Sequence, residues 1–261
     1  MDPLFAATRA EGRAALVGYL PAGYPTVAGS KDLFAAMLDA GCDLVEVGIP
    51  FSDPVLDGPT IQAAADHALR GGFHVRDVFG VVESVAAPGG RAVVMTYLNP
   101  VYRYGVDAFA RDLAAAGGLG VITPDLIPDE AAEWLAASAE HDLDRIFLLA
   151  PSSTEERIAS TLTVTSGFVY AASVMGVTGA RDTVASSAGD LVRRVKAHTD
   201  LPVGVGLGVR SGAQAAELAA VADAVIVGSA FVTRATQGAT EVADLAKELA
   251  DGVRHPLTPV A

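Results

Sequence analysis

One cysteine, Cys42, occurs in 261 residues, so no intramolecular disulfide can form. The chain starts M-D-P-L-F-A-A-T-R-A-E-G-R, which has no basic-then-apolar signal pattern, and with the lone cysteine this gives the expectation of a cytoplasmic protein. Cys42 itself reads as a small buried hydrophobe rather than a nucleophile. Lysine is almost as scarce. Lys31, Lys196 and Lys247 all fall in helical stretches, which leaves none at a strand end for Schiff-base chemistry. The histidines at 67, 74, 141, 198 and 255 are scattered without metal-ligand spacing, so packed or solvated side chains and no metal are expected. No dinucleotide fingerprint follows the first strand, and a redox role has no support. Lys and Arg number 18 against 31 Asp and Glu, a net charge of −13 with no basic cluster, which argues against nucleic acid as the main partner. An anionic small substrate must then be held by local dipoles and backbone N–H groups against the global field. A long apolar run is also missing. Residues 215–232 are long enough to span a membrane, but Glu217 and Asp223 interrupt them and the stretch parses as a helix followed by a strand.

What is present is a repeating unit. With 51% hydrophobic and 19% charged residues the chain reads as globular, and its length suits one barrel of alternating strands and helices over residues 1–261. Short apolar strands are expected at 15–20, 44–49, 92–97, 119–123, 145–149, 168–172, 202–205 and 224–227, most of them closed by proline or glycine. Helical spacing is expected at 30–40, 60–69, 75–85, 106–116, 129–139, 154–162, 189–198 and 239–250, after a short leading segment that closes at 9–13. Eight strand–helix units fit a single (β/α)8 TIM barrel with extra helices, an α/β fold, better than a doubly wound sheet. In such barrels function belongs at the C-terminal ends of the strands, where Glu46, Tyr97, Pro124, Tyr170, Gly206 and Gly228 fall.

Residues 45–60, V-E-V-G-I-P-F-S-D-P-V-L-D-G-P-T, set Glu46, Asp53 and Asp57 among apolar and turn-forming neighbours. Glu46 lies inside a strand, where an unpaired carboxylate costs several kcal/mol or takes up a proton. A core arginine partner is the structural alternative. Asp57 is either a second functional carboxylate or the cap of the helix opening at Gly58-Pro59-Thr60. Gly206 and Gly208 after the seventh strand and Gly228-Ser229 after the eighth suit a phosphate site, because bare backbone lets N–H groups approach an anion and the serine adds a donor. Gly179, in the long Gly/Ser/Thr-rich loop at 173–187, supplies a further N–H; that loop has the length of a lid. Tyr19, Tyr97, Tyr102 and Tyr170 line an aromatic pocket or, singly, pack the barrel core. The chemistry left is proton transfer by carboxylates on a phosphate-bearing substrate, with Glu46 as proton carrier and Asp57 ionised beside developing positive charge.

These residues carry a resemblance. E-V-G-I-P-F-S-D-P-V-L-D-G-P-T-I-Q resembles the signature of the tryptophan synthase alpha chain family, and Y-L-P-A-G-Y-P-T, G-V-T-G-A-R and the G-L-G and V-G-S turns follow in the family's order from about residue 13 to 250. The resemblance implies a lyase that cleaves indole-3-glycerol phosphate to indole and glyceraldehyde 3-phosphate by a retro-aldol reaction in tryptophan biosynthesis. It also implies an alpha2beta2 assembly in which indole passes to a tryptophan synthase beta chain, with pyridoxal phosphate in that partner only and no cofactor here. Carried over by position, Glu46 is the general acid/base and Asp57 binds the indole N–H. Tyr19, Met95, Tyr97 and Tyr170 belong to the indole pocket, Thr178 closes toward Asp57, and Gly179, Gly206, Leu207, Gly208, Gly228 and Ser229 hold the phosphate. The 50–57 loop meets the partner. Val174 stands where many members have arginine and Leu207 where an aromatic is common, departures that touch the lid and the phosphate cover but not the two acids. A stand-alone lyase releasing indole, a catalytically quiet module that binds a beta chain, and a generic phosphate-binding isomerase are the competing readings.

Overall fold

A computed structural model describes residues 1–172, 184–206 and 208–257. Eight parallel strands close into a barrel in sequence order: β1 (Ala15–Pro21), β2 (Leu44–Gly48), β3 (Ala92–Met95), β4 (Gly120–Thr123), β5 (Asp144–Leu149), β6 (Val169–Ala172), β7 (Val203–Gly206) and β8 (Ala224–Val227). The helices are α1 (Asp2–Ala10), α2 (Val27–Asp39), α3 (Pro59–Arg70), α4 (Asp77–Ala86), α5 (Leu98–Tyr104), α6 (Val106–Ala115), α7 (Ala132–Glu140), α8 (Glu155–Leu162), α9 (Val184–Lys196), α10 (Gly212–Ala219), α11 (Ser229–Ala235) and α12 (Ala239–Arg254). None is long and apolar enough to cross a membrane.

Strand periodicity decides what faces the barrel axis. Successive side chains alternate, so in β2 Leu44 joins the inner core with Val17, Val93, Ile122, Ile146, Phe168, Ala224 and Ile226, while Val45 and Val47 pack outward under the helices. The same parity sends Glu46 inward, one step beyond Leu44. At the opposite end α1 closes the barrel with Leu4 and Phe5, the Phe5 ring lying 5.8 Å from that of Phe168. Burying those two side chains on an otherwise open end contributes roughly 3–6 kcal/mol. Cys42 is buried and its thiol is pushed up by desolvation, in keeping with a packing role.

Four local expectations need correction. The leading helix spans Asp2–Ala10, so it ends within the 9–13 segment and stops short of Arg13. Helix α9 begins at Val184 rather than Gly189: Ala188, Leu191, Val192 and Val195 recur at helical spacing and are buried, so one apolar face outweighs the glycine within it. Helix α5 was not expected because Asn99-Pro100 reads as a break; Pro100 sits in the first turn, where its missing N–H costs little. The cap of α5 comes from afar. Both oxygens of Asp125 accept the Leu98 N–H, at 3.0 and 3.1 Å. Helix α11 follows β8 with only Gly228 between them, so its short apolar run merged with the strand in sequence.

Candidate active site

The inner-facing positions two residues beyond the core layer form the floor of a cavity of about 540 Å³ at the C-terminal mouth of the barrel. Val17 gives way to Tyr19, Leu44 to Glu46, Val93 to Met95, Ile146 to Leu148, Phe168 to Tyr170 and Ile226 to Gly228. The wall comes from the loop after β2 and the start of α3, with Asp57 and Ile61, and from the turns after β7 and β8 with Gly206, Gly208, Arg210 and Ser229.

Glu46 is 1% exposed, and neither of its carboxylate oxygens has a hydrogen-bond partner among the described residues. Among the described residues no core arginine reaches it, against the core-arginine alternative. Arg13, on the neighbouring first strand's approach, is held by Asp43 at 2.8 and 2.9 Å. With no partner for its charged form, Glu46 is pushed by burial to a pKa of about 8 and holds a proton at neutral pH.

Asp57 lies in a different setting. Helix α3 is capped by Gly58 without any side-chain hydrogen bond, so the capping alternative for Asp57 fails as well. Its Oδ1 instead accepts the Tyr97 hydroxyl at 3.3 Å, and its backbone carbonyl accepts Gln62 Nε2 at 2.7 Å. Burial raises its pKa and the Tyr97 hydrogen bond opposes that rise. Tyr97 also accepts the Leu56 N–H at 3.0 Å, and its ring packs 5.4 Å from that of Phe51. It stands behind the loop and is not among the residues lining the cavity. Asp53 accepts only its neighbour Ser52, at 2.6 Å, on the exposed side of the same loop.

Tyr19 and Tyr170 do line the cavity, and both phenols are pushed well up by burial and then by the carboxylates: Asp57 and Glu46 for Tyr19, Glu46 and Asp57 for Tyr170. They stay neutral hydroxyls. Gly206 has a second role besides open backbone, since a Cβ there would run into the Tyr170 hydroxyl. Met95, Gly208, Gly228 and Ser229 fall where expected, on the lining. Thr178, Gly179 and Leu207, together with Val174, lie outside the described residues.

Sequence reading missed Leu148, Ala172 and Ile226, although strand parity alone could have found them, and it missed Ile61 and Arg210, whose placement depends on how α3 and the turn before α10 pack. No lysine lines the cavity. Lys196 pairs with Asp223 at 2.9 Å beside a second cavity of about 250 Å³ near α1, where Arg13 is likewise paired. The one cluster of potential metal ligands among the described residues, Asp107, Glu140 and His141, is mostly exposed, lies on α6 and the end of α7, and contributes nothing to the mouth.

Two acids in one apolar cavity, one protonated and one held ionisable by a phenol, can deliver a proton to a carbon and support positive charge a short distance away. Comparison with known proteins gives the family. Residues 5–255 match the protein family described as tryptophan synthase alpha chain. The chain is 66% identical over 250 residues to the tryptophan synthase alpha chain of Nocardia farcinica, covering 96% of this chain and 94% of that one. It is 65% identical over 254 residues to that of Mycobacterium tuberculosis, covering 97% and 94%. Among solved structures, tryptophan synthase of M. tuberculosis superposes with a TM-score of 0.92 at 64% identity over 97% of each chain. The tryptophan synthase complex of Pyrococcus furiosus does so with a TM-score of 0.82 at 34% identity, over 92% of this chain and 97% of that one.

Proposed function

The chain belongs to the tryptophan synthase alpha chain family, and from that premise we propose that Glu46 and Asp57 divide the proton and charge handling of its reaction. That reaction is the lyase step of tryptophan biosynthesis in which indole-3-glycerol phosphate is cleaved to indole and glyceraldehyde 3-phosphate. The observation that carries the division of labour is the buried, unpartnered carboxyl of Glu46 beside the cavity that Asp57 also faces.

Protonated Glu46 gives its proton to indole C3, which makes C3 tetrahedral and places positive charge on the ring nitrogen. Asp57 accepts the N–H and stabilises that charge. The Glu46 carboxylate then removes the proton of the hydroxyl on the side-chain carbon next to the ring. The bond between that carbon and C3 breaks, its electrons restore the indole and an aldehyde is left. One proton has been given and one recovered, so Glu46 ends as it began. Tyr19, Met95, Leu148 and Tyr170 shape an apolar bed for the indole, with Thr178 and Tyr97 acting on Asp57 from the lid and from behind. Backbone N–H groups of Gly206, Gly208 and Gly228, with Ser229, Gly179 and Leu207, bind the phosphate.

Val55 is 74% exposed and Leu56 57% exposed on the loop that carries Asp57, an apolar tip that supports docking of a tryptophan synthase beta chain there. The assembly proposed is an alpha2beta2 tetramer in the cytoplasm, with pyridoxal phosphate in the beta chain, no cofactor in this one, and residues 1–261 folded as one barrel domain. The test is indole release from indole-3-glycerol phosphate by the purified chain, alone and with a cognate beta chain, for wild type and Glu46→Gln. Wild-type activity that rises with the partner and disappears in the variant supports the reading, and a variant as active as wild type overturns it.

A further inference from the structure

We propose that Arg210 determines specificity for the phosphate end of the substrate by supplying a counter-charge that the glycine turns lack. This rests on the phosphate reading of those turns given above. Apart from the neutral phenols of Tyr19 and Tyr170, the ionisable side chains on the described lining are Glu46, Asp57 and Arg210, so Arg210 is its one cation. It shares the turn after β7 with Gly206 and Gly208, on the phosphate side of the cavity.

The main chain at Arg210 is fixed while its side chain is available. Val209, one residue earlier, is buried and anchors the turn. The Arg210 N–H donates to Gln214 Oε1 at 2.8 Å, and Ser211 caps α10 by accepting the Gln214 N–H at 3.4 Å. These two bonds through Gln214 tie the turn to the start of α10. Its guanidinium, by contrast, has no carboxylate within 4.0 Å among the described residues, whereas Arg13, Arg157, Arg194 and Lys196 are paired with Asp43, Asp129, Glu155 and Asp223.

Electrostatics explains the need. A phosphate dianion approaches a chain of net charge −13 and a cavity that already holds two acids. Glycine N–H groups and the Ser229 hydroxyl offer dipoles but no compensating charge. An arginine at the rim can take two phosphate oxygens in its planar fork, a geometry that lysine matches only as a point charge.

Wild type, Arg210→Gln and Arg210→Lys, each assembled with the beta chain, separate the possibilities. Competitive binding of glycerol 3-phosphate is expected to weaken about tenfold in the Gln variant, the low end for a charge-assisted hydrogen bond at an exposed phosphate. The Lys variant should recover part of that loss. Binding of uncharged indole should stay at the wild-type value, and the KM for indole-3-glycerol phosphate should rise about as much as the glycerol phosphate constant while kcat falls much less. The salt dependence of KM should flatten in the Gln variant. Glycerol phosphate affinity within twofold of wild type in Arg210→Gln overturns the proposal, and so does an equal loss for indole and glycerol phosphate, which would mark a structural role. If the wild-type complex binds glycerol phosphate but does not cleave the substrate, the functional reading fails while Arg210 is still judged by the binding comparison.

Discussion

Tyr97 donates its hydroxyl to Asp57 Oδ1 at 3.3 Å and accepts the Leu56 N–H at 3.0 Å, so one phenol from the end of β3 fixes both the carboxylate and the backbone beside it. It acts as a positioning residue. In Tyr97→Phe the hydrogen bond that lowers the Asp57 pKa is gone and burial is left to raise it. The proposed mechanism needs Asp57 ionised to support the indole nitrogen, so the acid limb of the pH–rate profile should move to higher pH. kcat/KM above that limb should fall about 10- to 150-fold, the range for losing one hydrogen bond to a charged group. A profile that drops uniformly without moving its acid limb would place Tyr97 in packing alone.

In the mechanism proposed, Glu46 starts the reaction protonated, and its pKa of about 8 makes the acid form dominant at neutral pH. Activity of the complex should therefore decline on the alkaline side, as pH passes about 8. Glu46→Gln removes both the proton donor and the base, and kcat should fall by at least about 10³-fold, since each half of general acid–base catalysis is worth roughly 10²–10⁴. Steady-state indole release at several pH values measures both. A variant retaining a tenth of wild-type kcat would remove Glu46 from the proton path.

The same carboxyl weakens the fold, with a defined sign. Its folded pKa, about 8, is raised above the ordinary value of 4.5, so between those values the unfolded chain ionises and the folded one does not. Stability is then lost as pH rises through that window; below it both states are protonated and the contribution vanishes. Glu46→Gln, neutral at every pH, should match wild type near pH 4.5 and become progressively more stable than it toward pH 8, by up to a few kcal/mol. Urea unfolding at the two ends of the window reads the difference. An equal gap at both ends would mean that Glu46 finds a partner in solution.

How much of this could be read from sequence follows from the range of the forces involved. The barrel could, because its strands are short apolar runs punctuated by proline and glycine, and the punctuation is local. Glu46 stood out for a local reason too, as an acid within a β-branched run. Its lack of a partner did not, since any of several arginines might have reached it until Arg13 was seen on Asp43. Helix α5 takes its cap from Asp125, beyond the whole of α6 and β4, so no window around Leu98 contains the signal. Arg210 likewise joins the cavity only because Gln214 pins the turn ahead of α10. Leu148 and Ile226 are another case: counting two residues on from an inward-facing core position reaches the first and the core layer itself contains the second.

Gly206 links the phosphate turn to the aromatic wall. A Cβ at this position would meet the Tyr170 hydroxyl and ring edge, while its φ lies outside the left-handed region. Gly206→Ala should therefore act through Tyr170 and not through backbone strain, costing about 1–3 kcal/mol as overpacking does. Removing the hydroxyl relieves the worst contact, so the double variant Gly206→Ala/Tyr170→Phe should be more stable than the sum of the single changes by at least about 0.5 kcal/mol. Strict additivity in a thermal or urea cycle would show that the turn yields and the ring does not.

Val55 projects from the loop that also carries Asp57 and is 74% exposed. A solvated valine at a loop tip contributes little to folding, so Val55→Asp should change unfolding free energy by no more than about 0.5 kcal/mol. At a docking surface the same change buries a charge against an apolar partner, and affinity for the beta chain should drop at least about tenfold. Indole release by the isolated chain should match wild type, while a higher concentration of beta chain becomes necessary for stimulation. Titration of the beta chain followed by activity and by light scattering separates the two effects. Because Leu56 and Asp57 follow directly, a partner seated on Val55 also presses on the carboxylate that Tyr97 holds, which gives assembly a short mechanical route to the active site. Coincident half-saturation points for wild type and Val55→Asp would remove both the contact and that route.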